Sequence, residues 1–232
     1  MFMHMLRNKI GHSLLLLLLF FLIVGLVGCS GEKKDETDNG VTAEQATPGN
    51  AEIPPEQLIA KGMEVDGFSY EYVLTMPTGE KFVHKMWAKE GNMRSEMENP
   101  YSGEPTLSIV NVTEKAVYVY QPAHKQAIAM PLDDSSVDTT SPKDYLGELD
   151  SSDMIYMKTE TFDGKECRVY ETADGKIWIW EEHGMPLRIE LQSEEGDIIV
   201  EFLNFKIGDI DDSLFKLPEG TQIMDLGSLM KQ

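Results

Sequence analysis

Alternation of apolar and polar residues dominates the chain from residue 68 onward. Phe68, Tyr70, Tyr72 and Leu74 alternate with Ser69, Glu71, Val73 and Thr75. Met93, Ser95 and Met97 face opposite to Arg94, Glu96 and Glu98. Leu187, Ile189 and Leu191 alternate with Arg188 and Glu190, and Val200 and Phe202 flank Glu201. A period of two marks strands with one face buried and the other wet. Further runs lie over 81–88, 107–112, 116–120, 126–130, 154–161, 166–172 and 176–181, for about ten strands in all. They are punctuated by Pro77-Thr78-Gly79, Glu90-Gly91-Asn92, Asp163-Gly164, Asp174-Gly175 and Glu195-Gly196-Asp197, the turn chemistry of tight hairpins. Two segments keep a helical period instead. Pro54-Pro55 opens 55–66, with Leu58, Ile59 and Met63 on one face, and Ser141-Pro142 caps 142–150, with Tyr145, Leu146 and Leu149. The residues 211–215 read as one helical turn and 221–232 as a short helix.

The expected fold is therefore mainly β (α+β): a large antiparallel sheet curled into a half-barrel, with a short helical lid over an apolar concave face. Tyr70, Tyr72, Leu74, Met93, Met97, Leu187, Ile189, Val200 and Phe202 are the expected lining of that face. Two thin helices cover less apolar surface than such a sheet presents, and the remainder can form a cavity. Flexible thioethers such as Met93 and Met97 suit an adaptable apolar surface, though ordinary core packing accounts for any single methionine.

The N-terminus follows another pattern. Arg7 and Lys9 precede an apolar run, Leu14 to Val24, that ends in Gly25-Leu26-Val27-Gly28-Cys29. A basic segment, a short apolar run and small residues before a cut are the parts of a secretory leader. The run is shorter than the roughly 20 residues a spanning helix needs. Leu26-Val27-Gly28-Cys29 resembles the bacterial lipobox, in which the cysteine is acylated and becomes the first residue of the mature chain; the alternative is a membrane anchor with an incidental cysteine. The residues 30–54 are too polar to bury a core and read as a tether. This gives a leader over 1–28, an acylated Cys29 with its tether over 29–54, and one domain over 55–232. The expected location is the extracytoplasmic face of the cell membrane, held by the lipid on Cys29.

Charge narrows the partners. The chain carries 40 acidic and 20 basic residues, a net charge of −20, which becomes −22 once Arg7 and Lys9 leave with the leader. Such a field repels nucleic acid and anionic headgroups. The histidines of the mature chain, His84, His124 and His183, are scattered, and no nucleophile elbow or phosphate loop is present. No catalytic residue, metal site or cofactor is expected. With Cys29 taken by lipid, Cys167 has no partner and reads as a small core residue. Trp178 and Trp180 share a face opposite Ile177 and Ile179, so either a helix packs on the tryptophans or they form a partner surface.

Three segments resemble the LolA/LolB-like lipoprotein-carrier family. They are Trp87-Ala88-Lys89-Glu90-Gly91-Asn92-Met93-Arg94-Ser95-Glu96, then Ala116 to Pro122 with Lys125-Gln126, and Gly184 to Glu190 through Glu201 to Phe205 and on to Asp212-Ser213-Leu214-Phe215-Lys216-Leu217-Pro218-Glu219-Gly220. The resemblance spans roughly 55–226. It implies an open half-barrel that accepts acyl chains or lipoproteins, with Arg94 at the position of a lid-contacting arginine. It equally implies the other role in that family: a lipoprotein that docks and regulates an envelope or spore-cortex protein without transport. The acidic loop over 131–140 departs from the protruding apolar loop of the family's membrane-anchored acceptor.

Overall fold

The computed structural model describes residues 53–98, 103–132 and 141–225. The leader, Cys29, the tether as far as residue 52, the loop over 133–140 and the tail over 226–232 lie outside the described residues.

Helix α1 (Pro55–Glu64) leads into β1 (Phe68–Thr75), β2 (Lys81–Lys89), β3 (Asn92–Glu98), β4 (Pro105–Asn111), β5 (Ala116–Gln121) and β6 (Gln126–Pro131). Helix α2 (Pro142–Gly147) follows. The chain then forms β7 (Ile155–Phe162), β8 (Lys165–Thr172), β9 (Gly175–Trp180), β10 (Pro186–Ser193), β11 (Gly196–Ile207) and, after a 3₁₀ turn at Asp212–Phe215, β12 (Gln222–Asp225). All twelve strands make one sheet in the order β12-β6-β5-β4-β3-β2-β1-β11-β10-β9-β8-β7. The two ends do not pair with each other, so the sheet is an open half-barrel, as the alternation predicts. Both helices are shorter than predicted. The buried stripe of α1 is Leu58 and Gly62, while Met63 is 45% exposed. The start of the C-terminal tail is a strand, not the expected helix, because Gln222–Asp225 pairs in parallel with Gln126–Ala129.

Turn residues set the register. Glu90-Gly91 and Asp163-Gly164 each take two positive φ angles, the two-residue turn that suits the twist of a hairpin, and they fix Lys89 opposite Asn92 and Phe162 opposite Lys165. Asp174-Gly175 plays a different part from the one predicted. Thr172 pairs with Gly175, so the turn is Ala173-Asp174 and Gly175 already belongs to β9. A Cβ at Gly175 would stand 1.9 Å from the Glu190 carbonyl oxygen, so glycine is there for close approach of backbones.

Two meanders, β1–β6 and β7–β11, join where β1 pairs with β11. The chain crosses the sheet twice, on opposite faces. After β6 it returns through α2, which packs on β10 and on α1. This helix-bearing face carries a closed core of Leu58, Tyr145 and Leu146 over Tyr70, Ile177, Leu187, Ile189, Val200 and Phe202. After β11 the chain crosses the other face as a strap over 208–221. Phe215 of the strap clusters with Ile109 and Tyr118, Ile210, Leu217 and Trp87 pack against that cluster, and Leu217 also packs on Leu107, Tyr120 and Ala127. Polar ties pin it. Lys89 Nζ reaches Asp209 (3.0 Å), Asp212 (2.8 Å) and the Ile210 carbonyl (3.0 Å). The buried Asn111 amide donates to the Phe215 carbonyl at 3.1 Å. The helices thus cover one face of the second meander, and the strap covers the other face of the first.

Candidate functional site

Strand register decides which side chains share the helix-bearing face. Phe202 lies opposite Tyr72, Tyr72 opposite His84, Met86 opposite Ser95, and Ser95 opposite Ser108. Ser108 faces Val119, and Val119 faces Ile128. Paired residues of a sheet stand on the same side. The helix-bearing face of β1–β6 therefore runs through Tyr72, Leu74, Phe82, His84, Ser95, Met97, Thr106, Ser108, Val119, Ile128 and Met130. Each of these is half-buried, while Met86, Ala88, Met93, Val110 and Val117 on the same face are buried.

The predicted lining residues split along this line. Tyr70, Leu187, Ile189, Val200 and Phe202 are buried in the closed core beneath the helices, and Met93 is buried on β3. Tyr72, Leu74 and Met97 lie on the half-open part. Phe82, Val119, Ile128 and Met130 join them there. Single-strand alternation could not rank these residues, because their shared face shows only once neighbouring strands are aligned.

Arg94 stands elsewhere. It pairs with Trp87 and Ile109 on the strap-bearing face. Its guanidinium bonds Glu96, lies 5.8 Å from the centre of the Trp87 ring and donates to the Leu214 carbonyl at 3.1 Å. The expected contact with a helical lid is replaced by contact with the strap, because Arg94 and Met93 are adjacent in one strand and point to opposite sides. Trp178 also finds its cover within the sheet. It is 6% exposed, Arg188 stacks 5.4 Å above its ring, and its indole N–H donates to Glu160. Neither a helix nor an open aromatic patch is needed there. Cys167 is buried, and burial pushes its thiol up to about 12, so it carries no thiolate at neutral pH.

Where the closed core meets the half-open part, α2 is tied to the sheet by side chains. Ser141 and Asp144 form a capping box, with Ser141 N to Asp144 Oδ2 at 2.8 Å, which fixes the first turn of this short helix. Tyr145 then projects onto Phe202, with ring centres 5.9 Å apart, and its hydroxyl hydrogen-bonds Tyr72. Burial pushes the Tyr72 phenol up to about 12 and raises those of Tyr145 and Tyr70 as well. His84 meets Tyr72 edge-on at 6.0 Å, and its Nδ1 lies 3.3 Å from Ser95 Oγ. Burial holds His84 below the usual imidazole range. Tyr70, Tyr72, Tyr145 and His84 are thus neutral at pH 7.

The His84 shift has a consequence for stability. The neutral imidazole is favoured in the fold, so on the acid side of neutrality the unfolded chain binds the extra proton first. Stability then falls as pH drops below the unfolded value of about 6.5, and the loss stops growing below the folded pKa. Thermal melts of wild type and His84→Gln between pH 7.5 and 5 are expected to differ in slope, with the wild type losing more. Parallel profiles would remove His84 as a source of acid sensitivity.

A recess of about 430 Å³ lies outside this face, lined by Gly164, Lys165, Glu166, Trp180, Glu181 and Glu182. Its surfaces are mostly polar, and Lys165 already covers the Trp180 ring at 5.4 Å. It does not continue the apolar face.

No family model and no curated protein matches the chain. Among solved structures it is similar to an uncharacterised conserved protein from Thermus thermophilus, with 14% identity over 73% of this chain and 98% of that one and a TM-score of 0.49. It is similar to MucB at 13% identity over 72% of this chain, with a TM-score of 0.48, and spans 63% of the MucB chain. A LolA superfamily protein from Nitrosomonas europaea is similar at 12% identity over 71% of this chain and 98% of that one, with a TM-score of 0.32. At such identities and scores the likeness carries nothing about activity or partners.

Proposed function

We propose that this chain is an extracytoplasmic lipoprotein, anchored through an acylated Cys29, whose half-open helix-bearing face holds acyl chains, alone or as part of a lipoprotein. The observation that carries the reading is the row Leu74, Phe82, Met97, Val119, Ile128 and Met130, apolar and half-buried on one face of β1–β6. Apolar side chains left half-open on one face by the described residues support a binding site. The leader-like run and the lipobox-like Leu26-Val27-Gly28-Cys29 support a location at a membrane. The role is binding, not catalysis.

A second reading, docking to an envelope protein, is favoured by one feature. The short edge strand β12 exposes Ile223 (55%) and Met224 (48%), and an edge strand offers unpaired backbone groups to a partner.

Ile128→Glu separates the two. It is expected to weaken acyl binding at least tenfold while leaving the melting curve close to wild type, because Ile128 is half-buried on a strand far from the closed core. The measurement is displacement of a fluorescent alkyl probe, paired with a thermal melt. Unchanged probe binding in a folded variant would remove the acyl reading and leave docking.

A further inference from the structure

The helix-bearing face of β1–β6 is uncharged, in a chain with a net charge of −20. The cations of these strands are Lys81, Lys85, Lys89 and Arg94. Register puts them on the strap-bearing side: Lys81 opposite Thr75, Lys85 opposite Glu71 and Glu96, Lys89 opposite Asn92, and Arg94 opposite Trp87. Lys89 and Arg94 are further committed to the strap. The carboxylates Glu71, Glu96 and Glu98 share that side. Among the helix charges, Asp144 acts on Tyr70 and Glu148 on Tyr145, and both are negative.

The face is not uniformly apolar, however. His84, Ser95 and Ser108 make a polar islet within it. Ser95 and Ser108 are direct cross-strand partners, His84 Nδ1 lies 3.3 Å from Ser95 Oγ, and all three are half-buried. Apolar Phe82, Met97, Val119 and Ile128 surround them on the same face. Two hydroxyls and an imidazole offer both donors and acceptors and no fixed charge. Such a group satisfies an ester carbonyl or a glycerol hydroxyl. An anionic head moved there loses its water, finds no cation on that face of these strands, and meets the field of Asp144 and Glu148.

We propose that this face selects an acyl chain esterified to a neutral polar head, an acylglycerol, and that Ser95, Ser108 and His84 read the ester and hydroxyl groups while anionic amphiphiles are rejected. The proposal rests on the acyl-binding reading above and adds the head-group class to it.

The test uses the full chain solubilised in a non-acyl detergent, with three C16 competitors against a fluorescent alkyl probe: 1-monopalmitoylglycerol, hexadecanesulfonate and hexadecane. Hexadecanesulfonate stays anionic at every pH used. The glyceride is expected to displace the probe at roughly tenfold lower concentration than the sulfonate, the scale of one or two well-made hydrogen bonds. The double variant Ser95→Ala, Ser108→Ala is expected to bring the glyceride down to the level of hexadecane and leave hexadecane unchanged. Ser108→Lys, which supplies the missing cation, is expected to invert the order in favour of the sulfonate. Equal or better displacement by the sulfonate in wild type would overturn the proposal. So would a loss shared equally by all three competitors in the double variant. Failure of hexadecane itself to displace the probe would take down the acyl-binding reading first, and this selectivity with it.

Discussion

Replacing Gly184 with alanine is expected to destabilise the domain by about 3–4 kcal/mol and lower Tm by roughly 10 °C. Gly184 sits in the turn between β9 and β10 with φ +71°, where a side chain is already strained. The steric problem is larger. A Cβ there would stand 2.0 Å from the Leu58 carbonyl oxygen and 2.6 Å from the Gly62 nitrogen, both backbone atoms of α1. The reverse contact is as tight, since a Cβ on Gly62 would meet the Gly184 carbonyl oxygen at 2.3 Å and Leu146 at 2.5 Å. Helix α1 thus rests on the turn backbone to backbone, and no side-chain rotation relieves the clash. Gly79→Ala provides the control. Its φ is +84° but nothing lies within 4 Å of the added carbon, so only the backbone strain of about 1 kcal/mol remains. Urea melts of both variants separate the two costs. Equal losses in the pair would mean that α1 does not bear on this turn.

Phe202→Ala is expected to cost about 3–5 kcal/mol, and Phe202→Asp to prevent folding. The sequence pattern makes Phe202 and Ile189 candidates for a charge that abolishes binding in a folded domain. The structure assigns them to the closed core instead. Phe202 is fully buried, and its ring meets Tyr70 at 5.3 Å, Tyr72 at 5.9 Å and Tyr145 at 5.9 Å. It is the point at which β1, β11 and α2 touch. A carboxylate there has no partner and no water. Near-UV circular dichroism of the purified variants reads the outcome directly. A native-like spectrum for Phe202→Asp would show that the core beneath α2 opens readily and that burial at this position is not what holds the fold.

Much of this architecture is legible in the residues themselves, through two local rules. Alternation puts Tyr70, Tyr72 and Leu74 on one face, and the two-residue turns at Glu90-Gly91 and Asp163-Gly164 lock adjacent strands in register. The same alternation puts Arg94 on the side away from Met93 and Met97. A lid contact for Arg94 and a lining role for the two methionines were therefore hard to reconcile within β3, and the structure follows the alternation. Long-range choices are not written locally. Nothing in Phe68–Thr75 names β11 as its neighbour, and nothing in Ile210, Phe215 or Leu217 says which face they cover. Gln222–Asp225 is too short for its period to distinguish a strand from a helical turn, and only pairing with β6 decides it. The polar islet of His84, Ser95 and Ser108 is likewise a product of register across three strands, although each residue sits at a position the pattern already assigns to the inner face.

The strap bears on the order in which the molecule can be assembled. The first strand's neighbour is the eleventh, and among the described residues the apolar outer side of β3–β6 is covered by residues that follow β11. The leading meander cannot reach its final state on its own, however well its hairpins form. It must wait for the last part of the chain. Contacts so distant in sequence slow folding, so the early strands stay loose until the residues after β11 arrive and fasten them.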